Sequence, residues 1–302
     1  MKPVFTGSGV ALITPFSEDE KIDYNIFEKL IEFQIANKTD AIIVCGTTGE
    51  GSTLTVNERL DLFRFAADKI RGRVPLICGT GSNSTSFSLE VAKEAEKCGA
   101  DAHLMVTPYY NKTSQNGLLK HYYKLADNLS KPIIVYNVPT RTGMNITPET
   151  YKKLSEHENI TAVKEADTNI VKLQKAVHLC ENKLDFYVGN DDMISSAVAV
   201  GCKGVVSVLA NILPCFTHEM ALNGVNGNNI ECCKMQNEVM DLAQKLFCDV
   251  NPIPVKEAMR QLSMCTDTLR LPLCKTNDAN KTMIADVLAK YMYLIEKEKK
   301  IN

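Results

Sequence analysis

Eight short apolar runs, each followed by a longer amphipathic stretch, constrain this chain more than any other feature. The runs are Gly9–Thr14, Ala41–Cys45, Pro75–Gly79, Ala102–Val106, Pro132–Tyr136, Ile160–Lys164, Phe186–Val188 and Gly204–Val208. They are rich in Val and Ile, and most lack the polar alternation of a half-solvated strand. Such runs predict parallel strands buried on both faces. Between them, Tyr24–Asn37 carries Ile26, Phe27, Leu30, Ile31 and Ile35 close to one stripe, and Ser84–Cys98 carries Leu89, Val91, Ala92 and Ala95; both read as amphipathic helices. Thr147-Pro148-Glu149 has a capping Thr followed by Pro at the first helical position. Asp167 or Thr168 is placed to cap the helix that carries Ile170, Val171, Leu173 and Val177.

Eight strand–helix units in 302 residues predict an α/β fold, a closed TIM (β/α)8 barrel. An open doubly wound sheet is the alternative. It usually carries fewer strands, and no GxGxxG or P-loop follows an early run here. After about residue 225 the strand signal stops, while Asn228–Phe247, Pro254–Met264 and Lys281–Glu298 read as helices. The expected organisation is a barrel holding the active site over 1–225 and a C-terminal helical extension over 226–302, the extension offering a place for subunit contacts.

Composition narrows the partners. A formal net charge of -2, with Lys and Glu mixed along the chain, gives no footprint for nucleic acid or an anionic membrane. No run reaches the roughly 20 apolar residues of a membrane span, and MKPVFTGSGVALITPF lacks the pattern of a signal peptide. The eleven cysteines form no CxxC pair, Cys232–Cys233 being the one tight cluster. Most sit in apolar runs, as Cys45, Cys78 and Cys202 do, which points to reduced, buried thiols and a cytoplasmic protein. The Asn-x-Thr triplets at Asn111 and Asn145 are then chance matches.

In a barrel, chemistry gathers where strands run into their following loops. The second run ends in Cys45-Gly46-Thr47-Thr48-Gly49-Glu50-Gly51: glycines let backbone approach a ligand, and two hydroxyls flank that approach. A plain Gly-rich turn would look the same. The fourth run leads into Tyr109-Tyr110-Asn111, and the fifth into Tyr136-Asn137-Val138-Pro139-Thr140-Arg141. One strand-end Tyr is often a rim residue, but two strands delivering Tyr to one face suit a proton relay.

The sixth run ends in Val163-Lys164-Glu165. A lysine there reads either as a snorkelling or salt-bridged rim residue, or as an amine made nucleophilic by desolvation. Glu165 lies on the opposite face of the strand and is not its obvious partner. The seventh and eighth runs end in Gly189-Asn190-Asp191-Asp192 and Gly204-Val205-Val206-Ser207. Loops after these strands commonly bind anions, and a small carboxylate suits that location. Asp191 and Asp192 are expected to orient loops rather than hold a metal, since no His or third carboxylate stands near them in sequence.

Together these segments resemble the dihydrodipicolinate synthase / N-acetylneuraminate lyase family, from Phe5 to about Lys290. The marks are GTTGE at Gly46–Glu50, VTPYYNKTSQ at Val106–Gln115, YNVPTRTG at Tyr136–Gly143, VKEA around Lys164, GND after the seventh run, and NPIPVKEA near Asn251. The pattern YNVPxRTG and the segment TDTLRLPL at Thr266–Leu273 are similar to the synthase branch. Sialic acid lyases typically lack the Arg.

The resemblance implies a class I lyase. Lys164 forms an imine with pyruvate, a methyl proton leaves to give an enamine, and the enamine adds to the aldehyde of L-aspartate 4-semialdehyde. Ring closure then releases 4-hydroxy-tetrahydrodipicolinate, at the entry to diaminopimelate and lysine. Tyr136 is implied as the acid/base, with Thr47 and Tyr110 completing a relay. Thr48 holds the pyruvate carboxylate, the carbonyls of Gly189 and Val206 line the same pocket, and Arg141 holds the semialdehyde carboxylate. The resemblance also places Tyr110 in a neighbouring subunit's site, hence a homotetramer built as a dimer of dimers. No metal or organic cofactor is implied, because the imine is the electron sink. Another pyruvate-dependent aldolase, such as a sialic acid or keto-sugar-acid lyase, is the alternative; a buried Arg141 without a carboxylate partner argues against it. Many members are inhibited by lysine between subunits, through a polar group after GTTGE and a Glu after GTGxN. Here those stretches read Val56, Arg59 and Phe87, although Asn83 and Tyr109 are retained. A cation and an apolar ring are poor partners for an ammonium group, so lysine feedback is expected to be weak or absent.

Overall fold

A computed structural model describes residues 3–299 and closes the eight runs into one barrel. The strands are β1 (Gly7–Ala11), β2 (Ala41–Val44), β3 (Leu76–Gly79), β4 (Ala102–Val106), β5 (Ile133–Asn137), β6 (Ile160–Glu165), β7 (Asp185–Val188) and β8 (Gly204–Ser207). Each pairs in parallel with the next, and β8 returns to β1 through Gly7↔Gly204 and Ser8↔Val205. At that seam Gly204 has φ +149°, and a Cβ there would run into the Gly7 carbonyl; closure requires the glycine.

The first strand is shifted from its expected place. It spans Gly7–Ala11 rather than Gly9–Thr14. Past Ala11 the chain is still buried but leaves the strand: the Ile13 N–H donates to Asn211 Oδ1 at 3.2 Å, and the Thr14 hydroxyl to the Gly49 carbonyl at 2.6 Å. Apolarity at Leu12 and Ile13 therefore reports burial and not strand pairing. Several helices begin at side-chain caps, each worth about 1 kcal/mol: Asp23 for Tyr24–Ala36, Ser84 for Thr85–Lys97 and Thr147 for Pro148–Leu154. A full capping box of Thr55 and Glu58 starts Val56–Ile70. Helix Ile170–Cys180 is capped by Asn169, which accepts from the Lys172 N–H at 3.0 Å, and not by Asp167 or Thr168. Asp167 is engaged elsewhere, by Asn145 and the Lys172 ammonium.

Strand alternation sorts the side chains into two cores. One face of each strand fills the barrel interior, with Ala11, Ile43, Ile77, Leu104, Ile134, Ala162 and Val206 in contact there. Phe5 closes the bottom: its ring stacks on Tyr187 at 4.1 Å, and the Tyr187 hydroxyl donates to the Phe5 carbonyl. The other face packs against the surrounding helices. Beyond residue 225, helices Asn229–Lys245 and Asp278–Lys299 lie against the last barrel helices, and Ile253–Gln261 packs against Asp278–Lys299 and the turn Leu209–Asn211. They also send bonds into the barrel, Gln236 Nε2 donating to the Asp191 carbonyl at 2.9 Å.

Candidate active site

The strand register decides which residues meet. Tyr136 on β5 is paired with Lys164 on β6, and Lys164 with Tyr187 on β7. Lys164 shares its face with Ala162, so it points into the barrel, while Val163 and Glu165 point out. Lys164 is 6% exposed and forms a salt bridge with no carboxylate among the described residues. Its Nζ lies over the Tyr136 ring, 4.4 Å from the centroid. The rim-lysine reading fails on both burial and partner: this amine is held at the top of the interior, free of any ion pair.

Glu165 is buried on the outer face, as its position on the strand predicts. Its carboxylate accepts from Asn137 Nδ2 and the Tyr151 hydroxyl, both at 2.7 Å, and from the Asp167 N–H at 2.9 Å. Burial pushes its carboxyl above the ordinary range, against the nearby Lys172 ammonium and these bonds. Sequence reasoning assigned this cluster no role; the Asn and Glu that follow the two inward residues were its only signal.

Gly189 stands directly beside Lys164. Its N–H donates to the Glu165 carbonyl at 2.7 Å, and a Cβ on it would come within 2.9 Å of Lys164 Cε. Val206 is fully buried on β8. Asp191 orients the next loop, as expected: its Oδ2 accepts from the N–H groups of Val208 and Leu209, both at 2.9 Å. Burial raises the Asp191 carboxyl, against the Ser207 hydroxyl, those two N–H groups and the Lys164 charge.

Above these residues opens a cavity of about 380 Å³. Thr47, Tyr109, Tyr136 and Arg141 line it, and Arg59 and Phe87 belong to its wall. Lys164, Thr48, Gly189, Val206 and Tyr110 do not. Thr48 is buried, and its Oγ1 accepts from Asn251 Nδ2 at 2.9 Å. Arg141, in the turn of helix Pro139–Thr142, is exposed rather than buried, and its guanidinium donates to the Asn251 carbonyl at 3.1 Å. It stands at the rim because that turn lies outside the barrel. Cys45 also lines the cavity, but burial pushes its thiol up to about 12, so it supplies no thiolate at neutral pH.

Tyr110 is not brought to this site. It is 92% exposed, with φ +68° in the loop after β4, and no hydrogen bond joins Tyr136 to Thr47 or Tyr110 among the described residues. Sequence reasoning also gave no role to Asn251 or to Lys256, whose ammonium pairs with Glu50 inside the protein and donates to the Thr268 carbonyl at 2.8 Å. NPIPVKEA marked their segment without indicating what it touches. Among the described residues, no three His, Cys, Asp or Glu side chains are grouped to hold a metal ion.

Comparison with known proteins bears on this geometry. Residues 4–291 match the model of the dihydrodipicolinate synthetase family. A protein of Caldicellulosiruptor saccharolyticus named 4-hydroxy-tetrahydrodipicolinate synthase is 47% identical over 289 residues, covering 96% of this chain and 98% of that protein. A Clostridium perfringens protein of the same name is 47% identical over 285 residues, covering 94% and 98%. The crystal structure of dihydrodipicolinate synthase from Aquifex aeolicus superimposes with a TM-score of 0.93 at 40% identity, covering 95% of this chain and 98% of that one.

Proposed function

This chain belongs to the dihydrodipicolinate synthetase family, and we propose that it works through an imine formed on Lys164. It is a Schiff-base lyase that condenses pyruvate with L-aspartate 4-semialdehyde to 4-hydroxy-tetrahydrodipicolinate, on the route to diaminopimelate and lysine. The observation that carries the assignment of the nucleophile is the buried Lys164 amine, which forms no salt bridge among the described residues and is set against Tyr136.

The Lys164 amine adds to the keto carbon of pyruvate, and loss of water gives the iminium. That cation withdraws electrons from the adjacent methyl, which loses a proton to form the enamine. The enamine carbon attacks the aldehyde carbon of the semialdehyde, whose oxygen is protonated to an alcohol. The substrate's amino group then adds to the imine carbon and expels the lysine amine, closing the ring. One water is released over the cycle.

Tyr136 carries protons to and from the imine, supported by its place across the strand pair from Lys164. Thr48 donates to the pyruvate carboxylate, with the carbonyls of Gly189 and Val206 facing the same ligand. Arg141 at the cavity rim takes the carboxylate of the second substrate. Thr47 and Tyr110 complete the relay, Tyr110 reaching the site of a neighbouring subunit. Its near-complete exposure, away from its own cavity, supports that reading. The active form is then a homotetramer, a dimer of dimers. Residence in the cytoplasm is supported by eleven cysteines that are all free of disulfides; among the described residues no helix is long and apolar enough to cross a membrane.

The test is the initial rate of condensation, coupled to the next reductase, for wild type and Lys164→Ala, together with borohydride trapping of labelled pyruvate. The expected result is turnover and a covalent adduct in the wild type and neither in the variant. An adduct that persists in Lys164→Ala overturns the assignment of the nucleophile.

A further inference from the structure

The NPIPVKEA segment is a sequence mark that the mechanism leaves without work. Its first residue, Asn251, is 7% exposed and sits between the two groups assigned to substrate carboxylates. The side-chain NH2 donates to Thr48 Oγ1 at 2.9 Å, and the backbone carbonyl accepts from the Arg141 guanidinium at 3.1 Å.

The direction of the first bond matters. A threonine hydroxyl has one proton to give and two lone pairs to receive with. An amide NH2 can only donate, so it occupies a lone pair of Thr48 and leaves the hydroxyl proton unclaimed. Thr48 is 2% exposed, and no other side chain bonds its hydroxyl among the described residues. The proton is therefore available to an incoming carboxylate without first breaking a bond inside the protein. Preorganised donors of this kind need no reorganisation when the ligand arrives. A second contact keeps the two segments aligned. Lys256, farther along the segment, pairs with Glu50 in the loop that carries Thr48. Neither Lys256 nor Glu50 is accessible to solvent at its side chain.

We propose that Asn251 is a positioning residue for pyruvate: its amide fixes Thr48 as a hydrogen-bond donor toward the substrate carboxylate, while its backbone holds Arg141 for the second carboxylate. This rests on the role given to Thr48 above. The C-terminal segment is thereby part of the substrate site.

The test is steady-state kinetics on full-length Thr48→Val, Asn251→Ala, their double variant and Asn251→Asp. One hydrogen bond to a charged ligand is worth about tenfold or more in affinity. Asn251→Ala is expected to raise the KM for pyruvate about tenfold, with the KM for the semialdehyde unchanged, because the backbone carbonyl that holds Arg141 remains. In the Thr48→Val background the same substitution should add nothing. Asn251→Asp, nearly isosteric, presents an acceptor that takes the Thr48 proton, so it should raise the pyruvate KM at least as far as Ala does. A Thr48→Val enzyme with unchanged pyruvate KM overturns the reading of Thr48 and the inference with it. A weakened Thr48→Val beside an unchanged Asn251→Ala, an unchanged Asn251→Asp, or equal effects of Asn251→Ala with and without Thr48, overturns the inference alone.

Discussion

Asn137 donates its side-chain amide to Glu165 at 2.7 Å on the outer face of the same strand pair whose inner face carries Tyr136 and Lys164. Neighbours on a strand face opposite ways, so the bond behind the sheet sets the alignment of the two residues in front of it. Replacing Glu165 by Ala strands the donors of Asn137, Tyr151 and Asp167 in a buried place. We expect a loss of about 2–4 kcal/mol in urea denaturation and a fall in kcat at temperatures where the variant is folded. Tyr151→Phe, which removes one of these bonds, should cost about 1 kcal/mol with kcat near wild type. A folded Glu165→Ala enzyme with full kcat would contradict the alignment argument.

Gly189→Ala tests how closely Lys164, the proposed nucleophile, is packed. The added methyl meets Lys164 Cε at 2.9 Å and Ala166 Cβ at 3.0 Å. The end of a lysine side chain moves more cheaply than a strand, so the amine is displaced while the fold survives at a cost of about 1–3 kcal/mol. Borohydride-trapped pyruvate should then accumulate at least about tenfold more slowly, and unaltered trapping would show that the site has slack.

His121 makes stability depend on pH. It is 6% exposed, its Nδ1 lies 2.8 Å from the Thr85 hydroxyl, and its Nε2 has no partner among the described residues. Burial pushes its pKa down from 6.5 to about 4. Between those values the unfolded chain binds a proton that the folded one refuses. The stabilisation is complete above about 6.5 and is lost as the pH falls toward 4. At about 1.4 kcal/mol per unit of pKa the loss approaches about 3 kcal/mol. His121→Gln should therefore lose less stability than wild type between neutral pH and pH ~4.5 in urea titrations. Parallel losses would rule this origin out.

Lysine should leave the condensation rate unchanged at about 1 mM, a concentration corresponding to only about 4 kcal/mol of binding. Arg59 and Phe87 both line the cavity, and the Arg59 guanidinium donates to the Gly79 carbonyl at 2.6 Å. Neither group accepts a hydrogen bond from an ammonium. Half-inhibition well below that concentration in a rate titration would refute the expectation.

The barrel was legible in the sequence for a local reason. Burial on both faces writes itself into consecutive residues of one strand, as in Ile133–Asn137 and Ile160–Glu165. A lysine at the end of such a run is visible without knowing its neighbours. Where local signals conflicted, reading failed by a few residues. Leu12 and Ile13 are as apolar as a strand but lie outside β1, and Asn169 caps where Asp167 and Thr168 had equal local claims.

By itself, then, the sequence determined the number of strands, their order and, to within about three residues, where each one ends, because these depend on periodicities a few residues long. It could not determine which of those ends touch. Asn251 meets Thr48 across 203 positions, Lys256 meets Glu50 across 206, and Tyr187 meets Phe5 across 182. Nor did it tell that Arg141 stands exposed at the rim, or that Tyr110 turns away from its own cavity. Those facts belong to the closed barrel, since only closure sets the register that lays one strand end against another and brings the C-terminal segment down onto the loop that carries Thr48.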